Sequence, residues 1–181
     1  MALDPADGTL LWKIPYEVGY DNTVQRPLVA GGLLVMSAWD IPVRGYRVKG
    51  SGDRWSVQAT WENREGSVGY TSPVLIGTSL WGFSHRDGGR LYRLDPASGE
   101  ITWQGEPRAG EHATLVAAGD RLLVFEQNGH LAVLDAASEE PSRIARYRVS
   151  DTEVWAHPAL TGPYLLVKGQ GTRALWRAAA P

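Results

Sequence analysis

One phrase recurs along this chain and ends each time on an aromatic residue. It reads Ala-Leu-Asp-Pro-Ala-Asp-Gly-Thr-Leu-Leu-Trp from Ala2 to Trp12. It returns as Leu-Tyr-Arg-Leu-Asp-Pro-Ala-Ser-Gly-Glu-Ile-Thr-Trp from Leu91 to Trp103, and a degraded copy runs from Leu131 to Tyr147. Two rulers measure the period. The glycines that close the first hairpin of each unit, Gly32, Gly77, Gly119 and Gly162, stand 45, 42 and 43 residues apart. The terminal aromatics, Trp12, Trp61, Trp103 and Tyr147, step by 49, 42 and 44 residues. A period near 40–45 residues with several short strands per unit is the pattern of a propeller blade, a small sheet that must stack on its neighbours to bury its faces.

Each unit divides into four predicted strands. The first is a short apolar run after Pro27, Pro73, Leu115 or Pro158. The second covers Leu33–Ser37, Ser79–Ser84, Arg121–Glu126 or Tyr164–Lys168, and the third Gly45–Lys49, Arg90–Asp95, His130–Asp135 or Thr172–Trp176. The fourth ends on the aromatic. Consecutive apolar residues such as Leu122-Leu123-Val124-Phe125 point to strands covered on both faces, since a half-wet strand would alternate. Asn128-Gly129 predicts a tight type I′ hairpin, with Asp87-Gly88 and Ser98-Gly99 serving similarly. No segment holds a 3.6-residue period over ten residues, so essentially no helix is expected. The fold class is therefore all-β, a β-propeller of four-stranded antiparallel blades. The repeats fall at about 20–63, 70–106, 112–149 and 157–181, the last joined by 2–14.

Composition removes several function classes. The 181 residues carry 18 basic and 20 acidic side chains for a formal charge of -2, with no basic run that would track a nucleic acid. No apolar stretch approaches the ~20 residues of a membrane span. There is no cysteine, hence no disulfide framework, thiolate metal site or cysteine nucleophile. The chain opens Met-Ala-Leu-Asp, without the charged and apolar regions of a signal peptide, and it opens inside a repeat.

The spacing Ala-x-Asp-x-x-x-Gly-x-x-x-Trp, met at Ala2, Asp4, Gly8 and Trp12, resembles the tryptophan-docking repeat of pyrroloquinoline-quinone (PQQ) type propellers. Asp95, Gly99 and Trp103 match it with Leu94 beforehand; the second unit keeps Trp61 without the Asp, and the third keeps Asp135 but ends on Tyr147. The resemblance assigns Trp12, Trp61, Trp103 and Tyr147 to docking between blades. It implies seven or eight blades in a whole ring, and an exported or periplasmic parent. It also implies two kinds of relative: quinone-dependent oxidoreductases holding PQQ and Ca²⁺ in the ring's mouth, and non-catalytic scaffolds such as outer-membrane assembly lipoproteins. No catalytic motif of the first kind can be matched residue by residue.

The ends read as complementary. Thr9 to Ile14 is expected as a lone fourth strand, and the chain stops after three strands of its last unit. Either that strand closes a four-bladed ring on its own chain, or it completes the blade of a second copy in an eight-bladed homodimer. The residues preceding each innermost strand face the axis and are the candidate site: Arg26, Tyr70, Glu111, His112, Trp155 and His157. Glu111, His112 and His157 form a possible metal set, weighed against a water-filled polar mouth. Trp155 is a possible stacking platform, weighed against ordinary blade packing. Tyr20-Asp21-Asn22 is a weak Ca²⁺ acceptor cluster, and His85-Arg86-Asp87 reads as an exposed hairpin tip. The chain is expected to be a non-catalytic scaffold with no cofactor, binding a protein or small ligand and associating with itself. A PQQ-dependent oxidoreductase and an inactive truncated or engineered half-propeller are the alternatives.

Overall fold

The structure is a computed structural model that describes residues 1–16, 25–52 and 54–177. Among the described residues it is built of strands, with one 3-10 turn at Arg86–Gly88. The N-terminus forms a two-stranded hairpin, β1 (Ala2–Leu3) with β2 (Leu10–Trp12). Four antiparallel sheets follow. The first holds β3 (Leu28–Ala30), β4 (Leu33–Ala38), β5 (Ile41–Ser51) and β6 (Arg54–Asn63). The second holds β7 (Val74–Ile76), β8 (Ser79–Ser84), β9 (Arg90–Leu94) and β10 (Ile101–Gln104). The third holds β11 (Ala113–Ala118), β12 (Arg121–Glu126), β13 (His130–Asp135) and β14 (Ser142–Arg148). The fourth has three strands, β15 (Ala159–Thr161), β16 (Tyr164–Lys168) and β17 (Arg173–Arg177). Within each sheet the strands lie side by side in chain order, and no sheet closes into a barrel. These are the blades of an open, partial propeller.

Strand direction explains the consecutive apolar residues. Successive side chains of β8 point to opposite faces, and each face meets a different sheet. Leu80 packs with Val35, Val43 and Leu94 between the first and second sheets. Trp81 and Phe83 pack with Leu115 and Leu122 between the second and third. A third cluster, Phe125, Val149, Val154 and Val167, joins the third sheet to the fourth. Four sheets thus share three buried seams, and β8 is buried along Leu80–Ser84. On the fourth sheet the outer face is open: Leu166 is 44% and Leu175 68% exposed.

The repeated phrase folds the same way twice. In Asp4-Pro5-Ala6-Asp7-Gly8 the Gly8 N–H donates to the Asp4 carbonyl (2.8 Å) and the Asp4 N–H to the Thr9 carbonyl (2.8 Å). In Asp95-Pro96-Ala97-Ser98-Gly99 the corresponding bonds, Gly99 to Asp95 and Asp95 to Glu100, are 2.8 and 2.9 Å. The aspartate carboxylate accepts the N–H two residues on in both copies, Ala6 at 2.8 Å and Ala97 at 2.9 Å. Both glycines take positive φ, 78° and 80°. Aspartate, proline and glycine are each required by this turn for a different reason: acceptor, fixed φ and left-handed backbone.

Three expectations are corrected. The N-terminal segment is not a lone fourth strand: the turn at Asp4–Gly8 folds Ala2 back onto Trp12, making a hairpin of its own. That hairpin pairs with neither edge of the fourth sheet. Asn128-Gly129 is not a type I′ turn, because only Gly129 has positive φ. The turn closes one residue earlier instead, by the Gly129 N–H on the Glu126 carbonyl (3.0 Å), while the Gln127 N–H continues the β11–β12 ladder to the His112 carbonyl (3.2 Å). The Asn128 Oδ1 then accepts from the His130 N–H and from its Nδ1 (3.3 and 2.9 Å). His85 is not at an exposed tip: its side chain is 13% exposed and packed, though Arg86 and Asp87 beside it are exposed.

Candidate functional site

Antiparallel register places two sets of loops on one end of every sheet. Ala113 begins β11 opposite Glu126 at the end of β12, so the approach to the innermost strand and the turn between strands two and three lie together. These loops are tied around the axis from one unit to the next. Gln25 Nε2 donates to the Gly69 carbonyl (2.5 Å), and the Ser72 hydroxyl accepts the Arg26 N–H (3.2 Å). The buried Thr71 hydroxyl donates to the Ala113 carbonyl at 2.6 Å.

Upon this belt lies a row of five rings. His85 stacks on Trp39, centroids 4.1 Å apart and planes 18° from parallel. Trp39 tilts against Tyr70 at 5.2 Å, and Tyr70 meets Trp155 edge-on at 6.0 Å. Trp155 stacks on His112, 4.9 Å away and 6° from parallel. Aromatic neighbours at these separations attract beyond their buried area. The row draws Trp39 from the β4–β5 turn, His85 from the β8–β9 turn, and the other three from the approaches to β7, β11 and β15. Its middle is open to solvent, with Tyr70 43% and Trp155 46% exposed.

The polar groups around the row are engaged at both ends. His85 Nε2–H donates to Asp40 Oδ1 (3.0 Å), and Asp40 reaches this position with φ of 56°. Glu153 accepts from Trp155 Nε1 and Gln127 Nε2, each at 3.2 Å, and from Gln170 Nε2 at 3.5 Å. His112 is buried, 4% exposed, with Nδ1 unpartnered among the described residues and Nε2 3.5 Å from the Thr114 hydroxyl. Burial pushes its imidazole below the ordinary histidine range, holding it neutral beneath Trp155.

Of the candidate residues, the structure brings Tyr70, His112 and Trp155 into this one site. Glu111 and Arg26 are exposed beside it. His157 donates from Nδ1 to the Pro158 carbonyl (2.9 Å). Among the described residues no three His, Asp, Glu or Cys side chains gather as metal ligands. The Tyr20-Asp21-Asn22 cluster lies outside the described residues. Trp39, Asp40, His85 and Glu153 belong to the site without having been singled out for it. Their signal is position: Trp39 and His85 sit in the second-to-third strand turns of adjacent units.

The docking positions differ among themselves. Trp61 donates Nε1–H to the Pro96 carbonyl (3.1 Å), and its indole occupies the space that a side chain at Gly99 would need. Asn63 donates to the Gly99 carbonyl beside it (2.8 Å). Trp103 lies against Trp81, centroids 5.6 Å apart, while Arg93 reaches the Ser138 and Glu139 carbonyls (2.7 and 2.8 Å). Trp12 is half-buried and Tyr147 is 56% exposed.

Among the described residues of this mouth no side-chain cluster forms a built site for PQQ with Ca²⁺. One face of Trp39 is stacked on His85 and one face of Trp155 on His112, so those faces are not open to a quinone ring. The carboxylate beside Trp155, Glu153, already takes three side-chain donors. Among the described residues no helix is long and apolar enough to cross a membrane.

Comparison with known proteins agrees with this architecture. Residues 1–168 match the family model PQQ_2, described as outer membrane protein assembly factor BamB. No match is found among curated proteins. The fold is shared with the crystal structure of BamB from Moraxella catarrhalis, at TM-score 0.67 and 16% identity over 97% of this chain and 51% of that one. It is also similar to the computationally designed Ika4 protein (TM-score 0.60, 10% identity, 89% of this chain and 94% of that one). A chain of the mitotic checkpoint complex is similar at TM-score 0.56 and 18% identity, over 98% of this chain and 58% of its own length. The chain thus spans about half the length of the natural proteins it resembles.

Proposed function

Because the chain belongs to the PQQ_2 family of outer membrane protein assembly factor BamB, we propose that it works as a non-catalytic propeller scaffold in outer-membrane protein assembly, in an exported, periplasmic setting. Its docking face is the mouth where the aromatic row lies. The observation that carries this reading is the row itself: five rings packed edge to face and face to face, with the exposed Tyr70 and Trp155 at their centre. Exposed aromatic side chains on a rigid base are the commonest anchors of protein interfaces. The ties at Gln25, Thr71 and Glu153 supply that rigidity.

A photoreactive residue at position 70, introduced into the full-length protein in cells, tests the proposal. One discrete adduct with an outer-membrane assembly component, lost in Trp155→Ala, is the expected result. Tight binding of PQQ with Ca²⁺ at micromolar concentration, together with dye-linked oxidation of alcohols or sugars, would replace this reading with an oxidoreductase.

Self-association is the proposed state of the chain by itself. The fourth sheet has three strands, and the hairpin β1–β2 stands outside it, so a second copy can lend its hairpin to that sheet. Light scattering across a dilution series decides this. A stable dimer supports it, and a monomer at all concentrations removes it.

A further inference from the structure

Away from the mouth, a cleft of about 470 Å³ opens between the second and third sheets. Its volume falls within the range of about 300–1,000 Å³ that small-molecule sites occupy. The floor is the edge of the buried seam between the sheets, Phe83 and Leu91 from one side and Val124 and Leu134 from the other, with the half-buried Trp103 packed against it. Three arginines, Arg108, Arg143 and Arg146, stand in its lining.

The three cations are not equivalent. Arg146 is committed to Glu126, with bonds of 3.1 Å from Nε and 2.6 Å from an Nη. Burial alone would push the Glu126 carboxyl up, but the Arg146 hydrogen bonds and charge, with Asn128 and His130, hold it below the usual range. Arg108 and Arg143 make no ion pair among the described residues. The remaining acidic group in the lining, Glu106, shares an adjoining hollow with Arg90 and Arg108.

Arg108 is also built into place. Its N–H donates to the Asp87 carbonyl (3.2 Å), and Ala109 and Gly110 continue the ladder to Gly89 (2.9 Å) and Gly88 (3.1 Å). This holds Arg108 at φ of 62°, a left-handed conformation that costs energy for a residue with a side chain. Gly89 lies so close to the Gly110 carbonyl and Phe83 that no side chain fits there. The loop is therefore fixed on the wall of the cleft, with its cation at the rim.

We propose that this cleft binds a small ligand with a flat apolar body and one carboxylate. The body lies on Trp103 and the edge of the seam beside it, and the carboxylate meets the forks of Arg108 and Arg143. Guanidinium groups suit this role because they pair with a carboxylate through two parallel hydrogen bonds. The apolar side chains of the floor offer the body apolar contact, and the two unpaired cations disfavour a ligand of positive charge.

Isothermal titration with sodium 2-naphthoate, and with neutral 2-naphthamide as the matched control, tests the proposal on the intact chain. The acid is expected to bind at one site per chain, at least tenfold tighter than the amide, with affinity falling as salt is raised. Arg143→Gln and Arg108→Gly should each weaken the acid several-fold and leave the amide unchanged. Arg108→Gly also relieves the left-handed strain, so its melting temperature should hold or rise, separating lost binding from lost fold. No binding of the acid up to millimolar concentration overturns the proposal. So does equal affinity for acid and amide, or undiminished acid binding in the two variants, which would put the ligand elsewhere.

Discussion

A hydroxyl without a partner and a glycine without room make opposite demands at neighbouring places in the second sheet. Tyr92 is buried between the first two sheets, its hydroxyl unpartnered among the described residues and its pKa pushed far up by burial. Replacing it with Phe removes a desolvated polar atom and leaves the ring in place beside Gly82. Tyr92→Phe is therefore expected to be neutral or to stabilise by up to ~1 kcal/mol in urea titration. Gly99 is the reverse case. Any side chain there meets the Trp61 indole and must adopt positive φ. Gly99→Ala should cost about 2–4 kcal/mol, combining overpacking with backbone strain. His112 adds a pH effect with a definite sign. Burial lowers its pKa in the folded state, so the unfolded chain takes the proton first. Stability from this group is complete above its ordinary value of about 6.5 and declines as pH falls below it, until the folded imidazole is protonated too. The melting temperature of His112→Gln should lack that share of the acid decline seen in the parent.

At the level of the strand and its turn, the sequence was most legible where one local interaction decides the geometry. The strands Ser79–Ser84, Arg121–Glu126, His130–Asp135 and Tyr164–Lys168 stand where the apolar pattern puts them. The aspartate-proline-glycine turn is dictated by its own residues and so repeats faithfully. Asn128-Gly129 departs from the type I′ expectation because only Gly129 takes positive φ and the turn closes from Glu126 to Gly129, one residue earlier than the dipeptide alone suggests. His85 was misread because its partner Trp39 lies in another sheet, 46 residues away in the chain. The row of rings was only partly visible for the same reason: nothing in one segment says which aromatic of the next unit it will meet. The docking aromatics make a graded prediction. Trp61, bonded to Pro96 and seated on Gly99, should cost about 3–5 kcal/mol when cut to Ala. Tyr147, 56% exposed, should cost under ~1 kcal/mol in the isolated chain. A common cost at both positions, measured by chemical denaturation, would contradict the structure's distinction between them.

For the molecule as a whole, three seams between four sheets mean that stability is shared between neighbours rather than held in one centre. The second and third sheets are each gripped on both faces. The fourth is gripped on one, and most of its side chains on β15 and β17 are exposed. Hydrogen exchange should follow that order. Peptides from 79–94 and 121–135 should exchange slowest and those from 159–177 fastest, with protection of the last rising on self-association. Uniform protection along the chain would mean that the sheets unfold as one.

The row His85, Trp39, Tyr70, Trp155, His112 takes its members from loops serving all four sheets, and each ring touches only the next. A change in the angle between any two sheets must therefore separate two neighbouring rings. The stack is in effect a built-in optical gauge of curvature, since coupled indole and phenol transitions in near-ultraviolet circular dichroism depend on ring spacing and tilt. Tightening or opening of the arc, whether by a second copy or by further blades, would be read directly from the spectrum of the chain's own side chains.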